Sequence, residues 1–220
     1  MKKKIFTGSG VAIITPFTED GINFNRLKKL INYQISEGTD AIIICGTTGE
    51  SATMTNEEHI AAIKTAVEAA AGRVPVIAGT GVNDTMHSVL LTQAAEEAGA
   101  DAALTVTPYY NKTSQAGLYE HFKTIAENTS LPIVLYNVPS RTGLNITPET
   151  YEKLCKIPNI NAVKECKMCI RDRRRHMPTR RAWAMPLPAA AFPGTRFLSP
   201  QKFGSAMPDM KRRLPLLTSP

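Results

Sequence analysis

Cysteine is scarce: 4 residues in a chain of 220, too few for a disulfide framework and in keeping with a reducing compartment. Long apolar runs are missing too. No window approaches the ~18 uninterrupted apolar residues of a membrane span. Behind the basic start Met1-Lys2-Lys3-Lys4 no secretion signal is expected. Ile5 to Phe17 is interrupted by Thr7, Gly8, Ser9, Gly10 and Pro16, and it offers neither a compact apolar core nor a small-residue cleavage site. A cytoplasmic location is therefore expected, without membrane association. His59, His87, His121 and His176 show no close metal-ligand spacing with acidic residues or cysteines, so no metal is expected.

Acidic residues are nearly absent from the end of the chain. Residues 167–220 hold 12 Lys+Arg against 2 Asp+Glu, a net of +10, whereas residues 1–166 hold 14 against 17, a net of −3. The overall charge of +7 thus describes the tail and says nothing about partners of the body. A hydrophobic fraction of 43% excludes disorder of the whole chain.

The body carries short, β-branched apolar runs at a spacing of roughly 30 residues, the length of a strand plus a crossover helix. They are Val11–Thr15, Ala41–Cys45, Val74–Ala78, Ala102–Val106, Pro132–Tyr136 and Ile160–Lys164. Each is apolar on both faces, as a buried parallel strand is. Helical signals lie between them. Leu27, Leu30, Ile31 and Ile35 form one stripe, and Leu118, Phe122 and Ile125 another. Thr55-Asn56-Glu57-Glu58 has capping-box form, Asp84 stands at a cap position, and Thr147-Pro148 supplies a cap and a first-turn proline. The phrase Gly-x-Asp-Ala recurs at Gly38–Ala41 and Gly99–Ala102, each time between a helix and a strand.

Six βα-type units, the last only begun, belong to a parallel sheet that is either doubly wound or a barrel. The first strand lacks a Gly-x-Gly-x-x-Gly turn, which argues against a dinucleotide fold. Polar residues gather at the strand C-terminal ends, where a (β/α)8 barrel builds its active site. The expected fold is α/β, a TIM barrel truncated after its sixth strand, with residues 1–166 as a partial catalytic domain.

Lys164 ends the last apolar run. Desolvation there would lower its pKa and free the amine as a nucleophile toward carbonyls, and a lysine at a strand end can equally reach solvent. Tyr136 can shuttle protons or simply be a half-buried tyrosine with a paired hydroxyl. Arg141 can fork onto a carboxylate or lie on the surface. Gly46-Thr47-Thr48-Gly49-Glu50-Ser51 can cradle a small anion or be an ordinary turn, and Tyr109-Tyr110 can be functional or merely packed.

Taken in order, Gly-Thr-Thr-Gly-Glu-Ser, Thr-Pro-Tyr-Tyr-Asn-Lys, Leu-Tyr-Asn-Val-Pro-Ser-Arg-Thr-Gly and Val-Lys-Glu resemble the dihydrodipicolinate (4-hydroxy-tetrahydrodipicolinate) synthase family. This is a group of pyruvate-dependent class I aldolases that also includes N-acetylneuraminate lyase. The resemblance runs from about Ile5 to Glu165. It implies a lyase of lysine and diaminopimelate biosynthesis, condensing pyruvate with L-aspartate 4-semialdehyde and needing no cofactor. By the same resemblance Lys164 forms the Schiff base, Tyr136 donates and accepts protons, and Thr47 is its relay partner. Tyr110 completes the relay from a neighbouring subunit, which implies a homo-oligomer, a tetramer in the family. Thr48 binds the pyruvate carboxylate and Arg141 the carboxylate of the aldehyde. Ser-Arg-Thr-Gly after Asn-Val-Pro favours the synthase over the sialic-acid lyase. His87 stands where lysine-inhibited members often carry an acidic residue, which argues against inhibition by lysine.

The pattern stops at Cys166. Residues 167–220 show no sustained period of 2 or 3.6, contain 8 of the 15 prolines, and switch from lysine to arginine. Three readings attach to this tail: a basic arm binding nucleic acid on an inactive α/β scaffold, a Cys166-x-x-Cys169 redox or metal pair, and a disordered non-native end from a frameshift or chimeric gene. The third accounts best for the abrupt change, and nucleic acid is not an expected partner. With only six strands, Lys164 is expected at a solvated edge with an ordinary ammonium, leaving the chain as written inactive.

Overall fold

The computed structural model describes residues 4–166. The readings made of the tail, including Cys169, lie outside the described residues. Among the described residues no helix is long and apolar enough to cross a membrane.

Six parallel strands follow one another in space as they do in sequence. They are β1 (Gly10–Ala12), β2 (Ala41–Ile44), β3 (Val76–Gly79), β4 (Ala102–Val106), β5 (Ile133–Asn137) and β6 (Ile160–Glu165). A doubly wound sheet reverses its strand order at a switch point, and this one never does. The sheet is therefore an arc of a TIM barrel. The helices are α1 (Phe24–Ser36), α2 (Asn56–Ala70), α3 (Thr85–Glu97), α4 (Gln115–Glu127), the short α5 (Pro139–Thr142) and α6 (Pro148–Leu154).

The first strand is shorter than its apolar run suggests. Pro16 has no N–H to give a ladder, and the Thr15 hydroxyl donates to the Gly49 carbonyl at 2.8 Å. The chain leaves through a hairpin, Phe17–Thr18 against Gly21–Ile22, which hydrophobic periodicity does not announce. The capping box at Thr55 is complete: Glu58 N–H donates to its hydroxyl at 3.2 Å, and Glu58 Oε2 accepts the Thr55 N–H at 2.9 Å. Asp84 accepts the His87 N–H at 2.6 Å. Thr147 departs from expectation. It makes no side-chain cap bond to a helix N–H, and its hydroxyl pairs with that of Thr150 at 3.2 Å.

The recurrent Gly-x-Asp-Ala phrase is a stitch between strands. Gly38 and Gly99 take φ of +85° and +86°, the left-handed helix exit that a Cβ would strain. Two residues on, Asp40 accepts the Ser9 N–H at 2.7 Å and Asp101 accepts the Val76 N–H at 2.8 Å. Each carboxylate thus satisfies the start of the neighbouring strand before its own begins.

Alternation along the strands divides the core in two. Ile42, Ile44, Val76, Ala103, Ile133 and Leu135 face the helices and meet Leu27, Ile31, Ile63, Leu118, Phe122 and Ile125. Ile43, Ile77, Leu104, Val134 and Tyr136 face the barrel interior, where Ile5 and Phe6 pack against them. Each large side chain fully buried in this way contributes roughly 1.5–3 kcal/mol.

His121, on α4, is 4% exposed. Its Nδ1 lies 2.8 Å from the Thr85 hydroxyl, while Nε2 has no partner among the described residues. Burial pushes its pKa down to about 4, partly opposed by Asp84. His59 is lowered in the same sense, chiefly by burial. A histidine depressed in the folded state stabilises fully above its unfolded pKa near 6.5 and loses that stability as pH falls toward 4. Stability to urea is therefore expected to drop by about 2 kcal/mol for His121 alone between pH 7 and pH 5. In His121→Gln that pH dependence is expected to shrink. An equally steep loss in the variant would place the effect elsewhere.

Candidate active site

The C-terminal ends of β2 to β5 enclose a cleft of about 280 Å3, walled in part by Gly46, Thr47, Gly79, Val106, Tyr109, Tyr136 and Arg141. The floor depends on close backbone approach. A Cβ on Gly79 would overlap the Cys45 carbonyl. Cys45 is itself at φ 53°, a left-handed value strained for a residue with a Cβ, directly before the wall residues Gly46 and Thr47.

Tyr136 is buried on β5. Burial raises its pKa to about 12, with Cys166 acting in the same sense, while a hydrogen bond with the Thr47 side chain and the charge of Arg141 oppose the rise. At neutral pH the phenol is protonated, and the Thr47 side chain lies within hydrogen-bonding reach of it.

Lys164 reaches this wall through an irregularity in β6. Ile133 pairs with Ile160, yet Val134 pairs with Ala162, so Asn161 is an extra residue at a register shift. Strict alternation from Ile160, which faces the helices, would turn Lys164 toward them as well. The extra residue reverses the parity beyond it. Val163 faces the helices, and Ala162 and Cys166 pack on the interior layer. Lys164 comes to lie opposite Tyr136 in register, with Nζ 4.4 Å from the ring centroid. A bulge beside a functional site commonly re-aims a side chain in this way.

This geometry corrects one expectation. β6 is an edge of the described sheet, but Lys164 is not in open solvent. Burial lowers its pKa from 10.5, outweighing the opposing effect of Cys166. Burial among the described residues thus disfavours the charged form of the amine.

Thus Lys164, Tyr136, Thr47 and Arg141 come together, Lys164 against the ring of Tyr136 and the others on the cleft wall. Thr48 and Tyr110 are not part of that wall among the described residues. Thr48 is exposed on the same turn as Thr47. Tyr110 is 92% exposed, on a loop where it and Lys112 take φ of 68° and 45°. Cys166 interacts with the Tyr136 phenol; its pairing with Cys169 lies outside the described residues. Asn137, Tyr151 and Glu165 form a polar cluster behind the site that the motifs did not reveal as a unit.

Residues 5–182 match the family model described as the dihydrodipicolinate synthetase family. The chain belongs to this family. It is 66% identical over 168 residues to 4-hydroxy-tetrahydrodipicolinate synthase of Acetivibrio thermocellus, covering 76% of this chain and 58% of that relative. It is 58% identical over 161 residues to the synthase of Clostridium perfringens, covering 73% and 55%. Among solved structures, dihydrodipicolinate synthase from Aquifex aeolicus superposes with a TM-score of 0.72 at 54% identity, over 74% of this chain and 56% of that one. The enzyme from Acinetobacter baumannii, solved complexed with pyruvate, gives a TM-score of 0.71 at 50% identity, over 73% and 55%. The chain thus spans a little over half the length of these relatives.

Proposed function

We propose that the chain acts as a Schiff-base-forming lyase that condenses pyruvate with L-aspartate 4-semialdehyde to 4-hydroxy-tetrahydrodipicolinate. The observation that carries this reading is the desolvated Lys164 amine lying on the ring of a protonated Tyr136. A lowered pKa increases the fraction of neutral amine at physiological pH, and the neutral amine is the nucleophile.

In this reading the Lys164 amine adds to the pyruvate ketone. Tyr136 moves protons as the carbinolamine loses water to a protonated imine, and Thr47 relays them. The imine withdraws electrons, so a methyl proton leaves and an enamine forms. Its carbon attacks the aldehyde of L-aspartate 4-semialdehyde. The amine of the adduct then displaces Lys164 from the imine carbon, closing the ring and freeing the enzyme. Thr48 and the turn amides bind the pyruvate carboxylate, and Arg141 binds the carboxylate of the aldehyde. The exposed Tyr110 serves the site of a neighbouring copy, in a homo-oligomer that the family resemblance puts at four subunits. A cytoplasmic location fits such an enzyme.

The test is condensation with each aldehyde in turn. Pyruvate plus L-aspartate 4-semialdehyde is expected to give product, and pyruvate plus an amino-sugar aldehyde none. Turnover of the sugar alone would reassign the substrate.

A further inference from the structure

Behind the face that carries Tyr136 and Lys164, the next residue of each strand points the other way. Asn137 and Glu165 are register partners, as Tyr136 and Lys164 are. The Asn137 amide donates to the two Glu165 oxygens at 3.1 and 3.2 Å, and the Tyr151 hydroxyl donates to Glu165 Oε1 at 2.5 Å. Asn137 and Tyr151 are buried. Burial and the neighbouring carboxylate together raise the Tyr151 pKa, which keeps the phenol a neutral donor.

Asn137 also ties in the chain that returns from Arg141. Its Nδ2 donates to Asn145 Oδ1 at 2.9 Å, and its Oδ1 accepts the Ile146 N–H at 3.3 Å. Its backbone carbonyl accepts the Cys166 N–H at 2.9 Å. One cluster therefore joins the ends of β5 and β6, the loop after α5, and α6. Among the described residues β6 pairs on one side only, and the last residues of a strand so paired fray most readily. A buried polar network is seldom the most stable way to fill such a space, and apolar replacements often match it. Its distinctive effect is to fix geometry.

We propose that Glu165, with Asn137 and Tyr151, is a positioning residue whose clamp holds Lys164 on the ring of Tyr136 and sets the Arg141 helix relative to both. The inference rests on the Schiff-base reading of Lys164. None of the three side chains needs to touch substrate.

The test follows the rate and pH dependence of borohydride-trapped pyruvate adduct in the full chain, together with amide hydrogen exchange at Ile146 and Cys166. Glu165→Ala is expected to slow trapping on the order of 10²-fold, the scale of a small misplacement. Its half-rise is expected to move up toward the ordinary lysine range as the amine is wetted. Glu165→Gln, which keeps a carbonyl acceptor, is expected to recover part of the rate. Tyr151→Phe preserves volume and is expected to slow trapping less, and the double variant Tyr151→Phe with Glu165→Ala should be no slower than Glu165→Ala alone. Exchange at Ile146 and Cys166 should quicken at least tenfold in Glu165→Ala while the β3 amides stay protected. Should Glu165→Ala fail to fold, Tyr151→Phe carries the same comparison. An unshifted pH profile at full rate overturns the clamp, as does unchanged exchange. Absence of adduct in the unsubstituted chain overturns the Schiff-base reading instead, and exchange then decides whether the strand ends are clamped at all.

Discussion

Replacing Lys164 by alanine is expected to reduce pyruvate adduct formation, and with it condensation, to background, while Lys153→Ala leaves both intact. The two lysines differ in environment. Lys164 is desolvated against Tyr136, its pKa lowered by burial. Lys153 is an exposed residue in the last turn of α6. No neighbouring group can replace a covalent nucleophile, so the loss should be total rather than graded. Borohydride trapping followed by mass measurement decides it. An undiminished adduct in Lys164→Ala would move the nucleophile to another residue.

Arg141→Ala is expected to separate the two substrates. Arg141 sits on α5, on the cleft wall, and its charge is felt by Tyr136. A guanidinium fork removed from a bound carboxylate costs about 3 kcal/mol, on the order of 10²-fold in rate. That loss should fall on kcat/KM for L-aspartate 4-semialdehyde. Trapping of the pyruvate imine should change little, with a small further rise in the Tyr136 pKa as a favourable charge is withdrawn. Arg141→Lys should recover only part of the loss, since a point charge does not reproduce the fork. Equal damage to pyruvate trapping would refute this division of labour.

Much of this was legible in the sequence because each element is locally consistent. The apolar runs mark all six strands to within a few residues. The capping box at Thr55 and the glycines at 38 and 99 behave as their residue types dictate. Three things were not legible. The face that Lys164 presents depends on a register shift at Asn161. Parity counted from Ile160 gives the wrong side, since a bulge is set by strand pairing rather than by composition. The edge position of β6 suggested a wet lysine. Lys164 instead packs on Tyr136, a contact between residues 28 apart in sequence, and is half-buried. The polar cluster at Glu165 was hidden for a related reason. Asn137, Tyr151 and Glu165 come from three elements, and only the pairing of β5 with β6 brings them together.

A half-buried amine at Lys164 poised for imine formation must show itself in the pH dependence of pyruvate trapping. The full chain would be incubated with pyruvate and borohydride across pH 6 to 11 and the modified peptide identified at each step. One pyruvyl group per chain is expected, on the peptide containing Lys164, with a half-rise below the ordinary lysine value of 10.5. Labelling spread over several lysines, or a half-rise at the ordinary value, would contradict it.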